Sequence, residues 1–166
     1  MELVLIGAIF VAYGWYWGGV TEARTTAYAV GAASLLLGFG FAFGEVGAGG
    51  VAFGSLAALG AVYGLLATAN AWNESAQDRT YGLFALFFGL AAFLGMAADL
   101  EGGGDLTDAG LAALLIGATL VLHFISAALV PVNKGFKALV GWVTLLVGVF
   151  IVVIAFAEEA FGDMIL

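Results

Sequence analysis

Runs of about 20 apolar residues, separated by short polar breaks, recur along the whole of this chain, and few folds can hold such a pattern. Placing the breaks where charge and Gly, Asn or Asp cluster gives runs at 2–18, 25–44, 50–72, 79–98, 109–130 and 135–157. The connections, TEART, EVGAGG, NESAQD, DLEGGGDLTD and PVNKGFK, are all short. A helix needs about 20 residues to cross the hydrocarbon core, whereas a barrel strand needs about 10 of alternating polarity. The runs are long and unbroken, so the expectation is an all-α integral membrane bundle of six transmembrane helices, forming one domain. Charge agrees: 10% of the residues are Asp, Glu, Lys or Arg, against roughly a quarter in a soluble domain. Such a surface faces lipid, and the bilayer is the first partner expected. No basic segment precedes the first run and no cleavage site followed by a polar chain succeeds it. Met1 onward therefore reads as the first span and not as a removed signal peptide.

Orientation follows from the basic residues. Arg24 lies in the first connection, Arg79 just past the third, and Lys134 and Lys137 in the fifth, so all fall on one side of a six-helix path. The positive-inside rule makes that side cytoplasmic and puts both termini outside the cell membrane. Glu2, Glu45, Asp99, Glu101, Asp105, Asp108, Glu158, Glu159 and Asp163 then form an acidic exterior, and Glu22, Glu74 and Asp78 stay inside. Such an outer face has two readings, concentrating cations or sensing pH on the one hand and facing high external salt on the other, and the second is preferred.

The residue inventory removes most chemistry. There is no Cys and a single His, which leaves no thiolate or metal-ligand set, and no pair of carboxylates lies inside a run. Ser34, Ser55 and Ser126 have no evident base. The chain is expected to be no enzyme, with no catalytic residues, metal or cofactor and no nucleic-acid partner. His123 is the one ionisable residue well inside a run; such residues are costly and therefore candidates for function, while the preferred reading is a neutral imidazole hydrogen-bonded to a neighbouring helix or to interfacial water. Asn70, Thr68, Thr119 and Thr144 can hydrogen-bond a solute or join helices. Trp15, Tyr16, Trp17 and Trp72 read as an aromatic belt at the cytoplasmic boundary. Tyr13, Tyr63, Phe84, Phe87 and Phe88 lie deeper and either narrow a pore or fill the bundle. The 26 glycines include the small-xxx-small pairs Gly14/Gly18, Gly40/Gly44, Gly50/Gly54 and Gly60/Gly64, spacings that let helix backbones approach closely.

Three local patterns resemble the AmiS/UreI family of urea and short-chain amide channels. Thr21-Glu22-Ala23-Arg24-Thr25-Thr26-Ala27 is similar to the family's opening of the second helix. Asn70, then Asp78-Arg79-Thr80-Tyr81 and Leu86-Phe87, is similar to its third connection and fourth helix. Phe124-Ile125, Leu129, Pro131, Lys134-Gly135-Phe136, Trp142 and Gly148 resemble its fifth connection and sixth helix. The resemblance implies six helices with both termini outside, a homo-oligomer that is a hexameric ring in the family, and passage of a small neutral polar solute such as urea or a short-chain amide. Aligned on Gly117, two tryptophans of the family's fifth helix fall on Ile116 and Leu120, and a family Glu becomes Val147. The family's outer-loop histidines, which gate one branch by acid, have no counterpart. The pore-lining residues expected on this basis are Tyr13, Tyr63, Asn70, Phe84, Ile116, Leu120 and His123. The competing expectation is a non-conducting accessory subunit that assembles through its Gly-rich helix faces.

Overall fold

A computed structural model of the chain describes residues 2–42, 51–74, 79–103, 107–130 and 133–161. Glu45, Asp78, Asp105, Pro131 and Asp163, together with the side chains of Glu2, Glu158 and Glu159, lie outside the described residues. The regular structure among the described residues is helical: α1 (Glu2–Trp17), α2 (Ala23–Ala42), α3 (Val51–Trp72), α4 (Arg79–Gly103), α5 (Asp108–Phe124) and α6 (Lys134–Phe161). The last turn of α5 widens into a π-helix over Ile125–Leu129, where Val130 N–H donates to the Ile125 carbonyl. The segments Ala23–Ala42, Arg79–Glu101, Asp108–Leu129 and Lys134–Ala157 are long and apolar enough to cross a membrane. Leu3–Trp17 and Ala57–Trp72 are apolar but shorter.

Each helix packs on its neighbours in sequence and α1 also packs on α6, so the bundle closes into a ring. Glycine sets the closest approaches. On α1 and α6 the residues Gly7 and Gly14 face Gly148 and Gly141: a Cβ at Gly14 would lie 2.5 Å from Leu145 N, and one at Gly148 would lie 2.7 Å from Val11 N. Both pairs are seven residues apart, the period that keeps one face of a helix against a partner. The pair α4/α5 meets at Gly89 and Gly117, each within about van der Waals reach of the other's carbonyl, since an added Cβ would sit 3.1 and 3.0 Å away. Across α2/α3, Gly64 faces Ser34 and Gly31 faces Thr68. Lipid tails are as apolar as the side chains, so this dispersion at short range, and not burial from water, holds the pairs together.

At one end of the ring, α4 and α5 are clipped. Thr107 N–H and Oγ1 both donate to the Asp99 carboxylate, at 2.9 Å, while Thr107 Oγ1 accepts from Gly110 N–H as the N-cap of α5. The next residue departs from the sequence reading. Asp108 belongs to the acidic group expected at the exterior, yet its side chain is buried and both carboxylate oxygens lack a hydrogen-bond partner. It stands in the first turn of α5, where the helix dipole favours a negative group.

At the other end lie the first turns of α2 and α6. Arg24 and Glu22 share a cavity of about 580 Å³ with Tyr16, Ala23 and Glu74. Lys137 Nζ stands 5.1 Å above the Tyr16 ring, so the basic residues of α2 and α6 converge at the end of α1. Cations at helix N-termini oppose the helix dipole, so dipole stabilisation does not explain this placement.

Candidate functional site

One stripe of α1, formed by Ile6, Phe10, Tyr13 and Trp17, turns its side chains into the bundle. The spacings of four, three and four residues keep these positions on one helix face. The α5 residues Ile116, Leu120 and His123 form a matching stripe, all three fully buried. Towards the Arg24/Lys137 end the buried interior is polar, and away from that end it is packed with Ile6, Ile9, Phe10, Ile116 and Leu120.

The polar part is a chain of neutral groups from four helices. Tyr63 and Tyr81 hydroxyls are 2.5 Å apart, Tyr81 Oη is 2.7 Å from His123 Nδ1, and His123 Nε2 is 2.7 Å from Thr144 Oγ1. Thr144 Oγ1 donates to the Val140 carbonyl at 2.7 Å. That last bond fixes the rest. Thr144 has one proton and spends it on Val140, so it accepts from His123 Nε2–H. His123 Nδ1 must then accept, from Tyr81, and the Tyr81 oxygen accepts from Tyr63. Every proton therefore runs in one direction, from Tyr63 through Tyr81 and His123 to Thr144. The imidazole is neutral, as a site enclosed by helices and lacking a carboxylate partner requires. Beside this chain, Tyr13 donates to Asn70 Oδ1 at 2.5 Å and ties α1 to α3.

Rings pack around it. His123 stacks on Trp17 with centroids 4.3 Å apart and on Tyr13 at 5.8 Å. Tyr63 touches Phe10 and Phe88 at 6.2 and 5.5 Å. Tyr13 also meets Tyr16 at 6.0 Å, which joins the buried cluster to the polar cavity.

Of the expected pore residues, the structure buries Tyr13, Tyr63, Asn70, Ile116, Leu120 and His123 within the bundle. Phe84 is placed elsewhere. It is 43% exposed on the outer surface, where with Leu59, Val62, Tyr63, Phe87 and Phe88 it borders a cleft of about 190 Å³. Three members of the cluster were not singled out for it by the sequence. Trp17 reads as a belt residue, but it is 2% exposed whereas Trp15 and Trp72 are 44% and 51% exposed. Its spacing of four residues from Tyr13 was the available signal. Tyr81 enters the sequence reading only as part of a motif and Thr144 only as a general helix linker. Their joint role depends on which helices are neighbours. Among the described residues there is no group of His, Asp or Glu that could hold a metal ion.

Compared with protein-family models, with curated proteins and with solved structures, the chain matches none.

Proposed function

We propose that this protein is a membrane channel or facilitator for a small neutral polar solute of the urea or short-chain amide class, with the conduit through the six-helix ring. The observation that carries this reading is the connected string Tyr63–Tyr81–His123–Thr144, uncharged and enclosed by the ring. An ion entering this space would lose its hydration with no compensating charge, whereas a neutral amide has less hydration to lose and can meet a neutral donor beside the string. The apolar stretch at Ile116 and Leu120 then limits diameter. The polar cavity at Tyr16, Glu22, Arg24 and Glu74 serves as the mouth.

In this reading all six helices span the cell membrane, both termini face outward, and the mouth is cytoplasmic. Convergence of Arg24 and Lys137 on the end of α1 supports it. A reporter fused after the C-terminus is expected to be active only outside the cell, and one inserted at Asn133 only inside. A cytoplasmic C-terminus would overturn the six-span reading. Protomers associate in a homo-oligomeric ring, as the resemblance implies.

The direct test is stopped-flow re-swelling of proteoliposomes in urea and acetamide. Flux above that of empty vesicles is expected. The Leu120→Trp variant is expected to slow it at least several-fold, because Leu120 is fully buried and its Cβ already lies 3.2 Å from where a Cβ at Gly89 would stand. Overpacking costs typically 1–3 kcal/mol, so thermal stability falls as well. Flux equal to empty vesicles, with the protein folded and inserted, would reject the channel. That outcome favours the second reading, a non-conducting accessory subunit. Its specific support is that the string is closed to solvent and internally satisfied, as a purely structural network would be.

A further inference from the structure

The buried string uses up its own hydrogen-bonding capacity in order, but the residue stacked on it does not. Trp17 is enclosed by His123 at 4.3 Å, Tyr13 at 5.7 Å and Tyr81 at 6.0 Å, and its indole N–H, although the Tyr13 hydroxyl oxygen lies near it, has no acceptor in hydrogen-bonding geometry. Among the described residues the other buried side-chain atoms in that condition are the oxygens of Asp108, on the far end of α5. The ring has little freedom to turn its donor to water. Gly141 admits α6 so closely that an added Cβ there would lie 2.6 Å from the Trp17 carbonyl carbon and 2.8 Å from its Cβ. Leaving such a donor unmade costs about 1–3 kcal/mol, and native proteins keep few of them.

We infer that the Trp17 Nε1–H is the donor that binds the carbonyl oxygen of the permeating solute, at the point where the mouth cavity gives way to the enclosed string. The inference rests on the channel reading above and assigns its binding step. An indole donates and never accepts, so it selects a ligand with an acceptor atom, which urea and amides present in their carbonyl. Lys137 Nζ, 5.8 Å from the Trp17 ring, adds a positive potential that welcomes a carbonyl dipole and repels cations. The neighbouring groups are already committed: Tyr13 to Asn70, and Tyr81 to His123. Trp17 thus holds a donor that a newcomer can take without breaking a well-formed bond, since its contact with the Tyr13 hydroxyl falls short of hydrogen-bonding geometry.

The test reads binding and flux separately. Trp15, Trp72 and Trp142 face outward, so replacing all three with Phe leaves Trp17 as the sole emitter. Acetamide is expected to shift its emission to longer wavelength along a saturating curve, and thioacetamide, of similar shape but weaker acceptor strength, to shift it less at equal concentration. Emission unchanged by acetamide would mean that water or nothing meets the N–H, and would overturn the inference. The W17F variant keeps the aromatic volume in part and removes the donor. It is expected to keep its melting temperature within a few degrees and to lower urea flux about five-fold or more. Wild-type flux in folded W17F would overturn the inference and leave the channel reading standing. Should the unaltered protein show no flux, the channel reading fails, and the emission titration alone decides whether Trp17 binds a carbonyl. The titration also stands if W17F does not fold, since it does not use that variant.

Discussion

Gly141→Leu is expected to abolish the folded protein, leaving aggregate in place of a monodisperse peak after detergent extraction. A Cβ at this position would meet Gly18 N at 2.3 Å and the Trp17 carbonyl carbon at 2.6 Å. Both are backbone atoms, so no rotamer change relieves the clash and α6 must move away from α1. That movement forfeits the close contacts at Gly14 and Gly148 as well, because all four glycines share one seam. Even Gly141→Ala should cost at or above the usual 1–3 kcal/mol for overpacking. The control is Gly38→Ala, whose Cβ would find only Ala61 Cβ at an ordinary 3.6 Å and should leave the melting temperature unchanged. A folded G141L protein with wild-type stability would mean that α1 and α6 do not pack as described.

The second large effect is expected from His123→Leu. Leucine can fill much of the imidazole's volume, so the loss is chiefly of hydrogen bonding. Thr144 keeps its bond to Val140, but the Tyr81 hydroxyl loses the acceptor at Nδ1 and is left enclosed among rings. A stranded donor costs about 1–3 kcal/mol, more than the roughly 0.6 kcal/mol net of an average interhelical hydrogen bond in a membrane. Removing the stranded groups should therefore restore stability. H123L/Y81F moves the defect to Tyr63, and H123L/Y81F/Y63F removes it, so the triple variant should melt higher than the single one. If each further change lowered the melting temperature instead, the one-directional string would be wrong.

The sequence was sufficient for the helices and insufficient for their partners, for a physical reason. Crossing the hydrocarbon core demands length and apolarity, which any reader of the chain can measure, and the observed starts at Ala23, Val51, Arg79, Asp108 and Lys134 lie within two residues of those expected. Association inside lipid depends on shape, and 26 glycines supply many shapes. The i, i+4 pairs drew attention, yet the α1/α6 seam is built on Gly7, Gly14, Gly141 and Gly148 at a spacing of seven. The same limit applied to the site. His123 was recognisable alone, as the one ionisable group deep in a run. Trp17 was hidden by company: Trp15, Tyr16 and Trp17 are adjacent in sequence but turn to different faces, so a belt and a buried cluster overlap in three letters. In a helix that is apolar all round, polarity does not mark the inner face, and only contact with α4, α5 and α6 distinguishes it.

The wide turn at Ile125–Leu129 has a counterpart across the bundle. A turn closed by a bond to the fifth residue holds one residue more than an α-turn, and the surplus bulges sideways. Here it swells toward α4 at Gly82, where a Cβ would meet Ala128 Cβ at 3.1 Å and Ala127 Cβ at 3.2 Å. The chain has added a residue's bulk to one helix and excised a side chain from the other, like a tenon and its mortise. The two features are consequently one unit of inheritance. A homologue that lost the surplus residue would be free to carry alanine or serine at position 82, and one that kept it would have to shift the wide turn by a few tenths of an ångström to admit even alanine.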